Sequence, residues 1–300
     1  MFAKALRATG IFLFCCLGMI AKPCHPEGSI QMVENAGAID WEQLLISCTG
    51  VGTSDTLVPA AYQRAFVVES ARADAIEKLM ETLKGIAITS QITVNHIMKD
   101  NGTLQGQARE LVKKFREIGI HYMTDGSVEM DAELPLYGEL LELLLPSSGG
   151  GKRIPDGLLC PLCGQPWPAS KEVPRELKLI RPEGDLPKPF SGLLVDARGL
   201  GLKSALAPKI VNQRGKTVYG VEFAKRSQSL KEGIVGYVRD PNPTQNRERV
   251  GSNPLVIKGL RVQGPNRTDV VIDNANAATL HSMPEHLRFM EQCRVIIVLD

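Results

Sequence analysis

Aromatic residues are scarce in this 300-residue chain, at 5%. That is too few to build the stacking platforms on which bases and sugar rings rest. An excess of charge of one sign is missing too: 35 Lys and Arg stand against 33 Asp and Glu, a net charge of +2. Nothing in that balance attracts nucleic acid, and none is expected as a partner. The usual chemical signatures are absent as well. There is no Gly-x-Ser-x-Gly elbow and no His-Glu-x-x-His helix. Gly149-Gly150-Gly151-Lys152 looks friendly to phosphate, but Arg153 replaces the Ser or Thr and Pro146 takes the place of the first glycine. Gly199-Leu200-Gly201 has Ser204 at the third glycine position, and Pro208 blocks a following helix. Neither completes a nucleotide loop, so no nucleotide is expected.

What is present suits a globular protein: 43% hydrophobic and 23% charged residues, over a length sufficient for two domains. Lys4 and Arg7 precede an apolar run from Ile11 to Ala21, and no acid occurs before Glu27. That run is about half the roughly 20 residues of a spanning helix. Residues 1–21 are therefore read as a cleaved signal peptide, with a buried N-terminal helix as the other reading. Cys16 follows Leu13-Phe14-Cys15 and Cys24 follows Ala21-Lys22-Pro23. Neither context has the small residue that lipidation favours. Cys16 is the residue an anchor would use, and membrane association is expected only if it is so modified.

Residues 22–40, rich in Pro, Gly and polar residues, read as a tether. A strand is expected from near Trp41 through Leu44, Leu45, Ile46 and Cys48, ending in a turn at Gly50-Val51-Gly52. Ala61, Ala65, Val68, Ala75, Leu79 and Leu83 recur at helical spacing between Pro59 and Gly85. Ile86, Ile88, Ile92 and Val94 suggest a strand. A second amphipathic helix runs from Leu104 to Ile118. A hairpin follows, turning at Asp125-Gly126. On its second arm Val128, Met130, Ala132 and Leu134 share one face and Glu129, Asp131 and Glu133 the other. That carboxylate row is read as a solvated sheet face rather than an acid–base site. A short helix from Tyr137 to Leu145 completes a domain over 41–146.

Residues 147–190 form a Pro/Gly-rich linker that contains Cys160-Pro161-Leu162-Cys163-Gly164. The pair could close a local disulfide, contribute to a zinc site shared with other ligands, or act in thiol exchange. A four-ligand zinc site needs a second pair, which the sequence lacks. Zinc is the only cofactor considered. A second domain over 191–300 has strands at Gly192–Asp196, Ile210-Val211, Thr217–Tyr219, Leu255–Val262, Asp269–Ile272 and Val295–Val298. Its helix, about Asn276 to Cys293, starts near Pro284 or is divided by it. Asp196 and Arg198 lie on one side of an extended segment and, with Gly199 and Gly201, read as a structural turn.

Thr49-Gly50-Val51-Gly52, Ala71-Arg72-Ala73-Asp74-Ala75, Leu83-Lys84-Gly85-Ile86 and Asp125-Gly126-Ser127-Val128-Glu129-Met130 appear in the order and texture of the LPP family of bacterial lipoproteins, FlgP-like. Residues 41–146 resemble that family. Ser191 to Gly201, with Ala207-Pro208-Lys209-Ile210 and Val218-Tyr219-Gly220, is similar to a C-terminal region of obscure function often joined to such domains. The resemblance implies an envelope location, periplasmic or outer-membrane-associated, and flagellar or surface architecture. It supplies no catalytic residues. The expectation is an α+β protein of two domains with antiparallel or mixed sheets packed by helices. It is read as a non-catalytic assembly component whose partners are itself, as a homo-oligomer, or other envelope proteins. The alternative is a periplasmic thiol- or zinc-dependent protein using Cys160 and Cys163.

Overall fold

A computed structural model describes residues 30–146 and 189–300, apart from residues 56, 241 and 243–245. The first half contains β1 (Ile30–Val33), β2 (Gly37–Asp40), β3 (Leu45–Gly52), α1 (Ala60–Gly85), α2 (Val94–Lys99), α3 (Gly102–Val112), β4 (Arg116–Tyr122), β5 (Val128–Pro135) and α4 (Glu139–Leu144). The second half opens with β6 (Gly192–Asp196), β7 (Ile210–Asn212), β8 (Thr217–Tyr219), α5 (Arg226–Glu232), β9 (Gly236–Val238) and α6 (Arg247–Val250). It continues through β10 (Pro254–Lys258), β11 (Arg261–Gln263), β12 (Asp269–Ile272), α7 (Asn274–Leu280), α8 (Pro284–Glu291) and β13 (Val295–Val298). The architecture is α+β, as expected.

The first sheet is antiparallel, in the order β1-β2-β3-β5-β4. Val128, Met130, Ala132 and Leu134 turn inward against α1, and Glu129, Asp131 and Glu133 turn outward, as the period of two dictates. Four expectations fail here. The helix expected from Leu104 to Ile118 ends at Val112, and Arg116 to Ile118 already belong to β4, where Ile118 serves a strand instead of a helix face. Residues 30–40 are a paired hairpin rather than tether, with Ile39 and Trp41 in the core. Gly50-Val51-Gly52 is not a turn: it extends β3, and its glycines let α1 approach. Ile86 to Val94 is not a strand. Only Ala87 and Thr93 form a bridge, after which Thr93 caps α2 by accepting from the His96 N–H. Its β-branched pattern reflects burial of Ile86 and Ile88, whose neighbouring carbonyls serve the second half.

The second half contains two sheets. One, β10-β6-β13-β9, is wholly parallel; the other, β11-β12-β7-β8, is mixed. The apolar runs Leu193-Leu194-Val195 and Val295–Val298 are fully buried, as parallel strands covered on both faces must be. The stretch expected as one strand over Leu255–Val262 is two, β10 and β11, in different sheets. Gly259 makes the crossing and donates its N–H to the Asp196 carbonyl at 2.8 Å. Pro284 divides the last helical segment in two, sitting at the first turn of α8 where its missing N–H costs nothing.

The halves do not hang apart. The Leu206 and Ala207 N–H groups donate to the Ala87 and Ile88 carbonyls at 3.0 and 2.8 Å, and Gly138 donates to Leu230 at 2.9 Å. Trp41 meets Tyr237 edge to face, with ring centroids 5.6 Å apart. Buried Ser90 donates its hydroxyl to Asp269 at 2.5 Å, and the Lys209 N–H donates to the same carboxylate at 3.0 Å. Burial still pushes the Asp269 carboxyl above its usual range. One apolar core runs from Ile39 and Leu79 through to Tyr237 and Ile297, and a smaller cluster of Leu194, Val238, Val250, Ile296 and Val298 is separate from it.

His286 closes the C-terminal layer. Its Nδ1 faces the Thr279 carbonyl at 2.9 Å, and its Nε2 accepts the Phe190 N–H at 3.2 Å. This pattern requires a neutral imidazole. Burial pushes its pKa below the usual 6.5. A depressed pKa means the unfolded chain takes up a proton that the folded one refuses. The stabilisation is therefore complete above pH 6.5 and declines as pH falls below it. Urea midpoints at pH 7.5 and 5.5 should differ less in His286→Gln than in the parent chain, and equal differences would remove His286 as the cause.

Candidate functional site

Of the residues singled out in the sequence, Cys16, Cys160 and Cys163 lie outside the described residues. Asp196, Arg198, Gly199 and Gly201 form the turn at the carboxyl end of β6, the position where open parallel sheets commonly bind ligands. Here the polar groups are already committed. Asp196 accepts from Arg198 Nε at 2.9 Å and Nη2 at 2.7 Å, which holds its carboxyl below the usual range. Gly199 and Gly201 take left-handed φ of 76° and 62°. The Gly199 N–H donates to Asp300 at 2.5 Å, and Arg267 donates to the Leu200 and Gly201 carbonyls at 2.9 and 3.2 Å. The turn is internally saturated.

The remaining cysteines of the described residues, Cys48 and Cys293, are free and buried. Burial raises each thiol to about 11, so neither is a thiolate at neutral pH. Among the described residues, no three His, Cys, Asp or Glu side chains are grouped to hold a metal. No helix among them is long and apolar enough to cross a membrane.

One polar constellation emerges around a histidine that looks isolated in the sequence. On the outer face of the first sheet, His121 Nε2 lies 3.0 Å from Asp131, whose other oxygen accepts the Thr49 hydroxyl at 2.8 Å. Counting back from the Asp125-Gly126 turn places His121 opposite Glu129, beside Asp131, so hairpin register could have found the pair. The hydroxyl bonds the carboxylate rather than the imidazole. No base is therefore placed to draw off its proton, and the arrangement lacks the geometry of an activated nucleophile. Next to it Arg116 pairs with Glu133 at 2.9 Å.

That face and its edge are the most conspicuous unpartnered surface. The face holds a concavity of about 460 Å³ that crosses all five strands, from Met32 to Ile118, over a floor including Ser47, Thr49 and Asp131. Among the described residues β4 ends the sheet, so one side of its main chain has no strand partner there. An irregularity between Glu117 and Gly119 falls at Ile118. Ile118 lines the outer-face concavity, while Ile120 and Tyr122 register with inward-facing Met130 and Val128. Ile118 is 57% exposed and Tyr122 54%. Arg64 lies 4.6 Å over the Tyr122 ring. The open edge thus presents apolar side chains at both faces, bracketed by Arg116, Glu117 and His121.

A family model described as the second domain of Treponema pallidum Tp0624 is similar to residues 192–300, the span from the start of β6 onward. No curated protein matches the chain.

Proposed function

We propose that this protein is an exported, non-catalytic component of the cell envelope that acts by assembly, with a second copy of the chain as its partner at the open edge of the first sheet. The reading is carried by one observation: among the described residues β4 is a free edge strand, whose centre, Ile118-Gly119-Ile120, is uncharged and exposes both isoleucines. An unpaired edge offers a ladder of main-chain donors and acceptors that only another strand can satisfy in register. The chain carries such a strand at both ends of this sheet, because β1 is the opposite edge and leaves Met32 exposed. Edge-to-edge addition of copies therefore extends the sheet without any new element. The flanking Arg116, Glu117 and His121 are met within the chain by Glu133, Arg72 and Asp131, which leaves the apolar centre of the strand as the part open to a partner. Export is supported by the composition of residues 1–21, and flagellar or outer-membrane architecture by the resemblance of residues 41–146.

Sedimentation of the mature chain, with fractionation of cells and N-terminal sequencing of the product, tests the proposal. Concentration-dependent self-association is expected, weakened about tenfold by Ile118→Lys with Tyr122→Lys (about 1.4 kcal/mol). Both positions are exposed, so the monomer should keep its circular dichroism spectrum. A chain that remains monomeric at high concentration removes the assembly partner, and an unprocessed chain in the cytosol removes the envelope location.

A further inference from the structure

Far from the sheet edge in the sequence, the β7–β8 turn, which carries the exposed Arg214 and Lys216, and α7 flank an open cleft of about 560 Å³. That volume is within the range of pockets that hold small molecules. Its lining is cationic and polar: Arg214, Lys216, His281, Asn212 and Asn274. The turn that carries the two cations is rigid. Asn212 Oδ1 accepts from the Arg214 and Lys216 N–H groups at 3.0 and 2.9 Å, and Gly215 takes a φ of 76°. Among the described residues neither cation has an ion pair. Asp273, the acid next to Asn274 in the chain, is turned away from such a role: it caps α7 by accepting the Asn276 N–H at 2.8 Å. His281 is held by its Nε2 contact to the Val218 carbonyl at 2.8 Å and by packing on Phe223, ring centroids 5.4 Å apart.

Asn274 adds an independent observation. Its side-chain oxygen is buried and has no hydrogen-bond partner among the described residues. A buried acceptor left unmet is costly, and a ligand donor that meets it once the Asn274 side chain turns toward the cleft would satisfy it. We propose that this cleft binds a small oxyanion, phosphate or carboxylate, that also carries a hydroxyl or amine. The anionic group sits between Arg214 and Lys216, and the donor reaches Asn274 Oδ1. Arg and Lys are the side chains that charge-assisted oxyanion binding calls for.

Titration calorimetry of the full chain tests this with three probes: glycerol 3-phosphate, methyl phosphate and glycerate. Glycerol 3-phosphate should bind, and Arg214→Ala with Lys216→Ala should weaken it about tenfold or more. Methyl phosphate, which has no carbon-borne hydroxyl, should bind more weakly, and the gap should close in Asn274→Ala. Glycerate binding better than glycerol 3-phosphate would make the natural group a carboxylate. Absence of heat and of thermal stabilisation with all three probes overturns the site, as does binding undiminished in the double variant. Self-association through β4 should be unchanged in these variants, so failure here and failure of the assembly reading are separable.

Discussion

Arg249→Met should destabilise the second half by about 3 kcal/mol, the cost of removing one charged donor from several main-chain carbonyls at once. Arg249 is partly buried, and its guanidinium donates only to main-chain carbonyls. Nε serves Cys293 and Val295 at 3.0 and 3.1 Å, Nη1 serves Glu232 at 2.7 Å, and Nη2 serves Gly233 at 3.0 Å. Burial lowers its pKa, yet a guanidinium starts so high that it stays charged. One side chain thereby ties the end of α5, the approach to β9 and the start of β13. Two of the carbonyls come from left-handed residues, Cys293 at φ 55° and Gly233 at φ 74°, so the cation also holds backbone that sequence alone disfavours. Methionine fills much of the volume and removes all four of these bonds. Arg249→Lys should recover little, because one ammonium cannot span acceptors on both sides of the fork. Urea unfolding followed by circular dichroism measures both. A loss below about 1 kcal/mol in Arg249→Met would mean that water takes the place of the guanidinium at these carbonyls and that the side chain does not hold the segments together.

Such a node was not legible in the sequence. Arg249 stands in the polar stretch Asn246-Arg247-Glu248-Arg249, where every neighbour suggests solvent, and only the meeting of four distant segments partly buries it. The same rule separates what could be read from what could not. Strand β5 was readable because alternation and the Asp125-Gly126 turn are local. The runs at Leu193–Val195 and Val295–Val298 announced burial, but a continuous apolar run carries no information about its partner, so their adjacency in a parallel sheet was hidden. Ile86 to Val94 had strand composition, yet its main chain is claimed by Leu206 and Ala207, more than a hundred residues on.

The candidate interaction surface divides in the same way. The outward row Glu129, Asp131 and Glu133 followed from period alone, whereas the exposure of Ile118 depends on two facts of topology. One is that β4 ends the sheet, because β5 inserts between it and β3. The other is the irregularity beside Gly119 that sets Ile118 out of step with Ile120. The reading of residues 22–40 as tether failed for a related reason. Ile30–Val33 and Gly37–Asp40 are too short and mixed to signal strands, and they are ordered by the edge of β3.

Gly52→Ala tests whether the close seating of α1 holds that sheet together, and it should cost about 3 kcal/mol. A Cβ at Gly52 would lie 2.0 Å from the Val67 carbonyl oxygen, and one at Gly50 would lie 2.2 Å from that of Ala71. Both obstacles are helix backbone, so no rotamer change relieves them, and trimming Ala71 or Ala75 cannot help. The helix must lift from β3 and open space beneath Val67, Ala71, Ala75 and Leu79, all buried against the sheet. Gly106 supplies the control. It lies within α3, where an added methyl would meet nothing within 4 Å, so Gly106→Ala should be neutral or stabilise by up to about 1 kcal/mol through helix propensity. If thermal or urea unfolding finds the two substitutions equivalent, the Gly-Val-Gly segment is not required for packing, and its presence in β3 needs another cause. If Gly52→Ala alone loosens the sheet, self-association should weaken with it, because β4 is held by β5, which pairs with β3, and by Arg64 and Arg72 of the helix seated on the sheet.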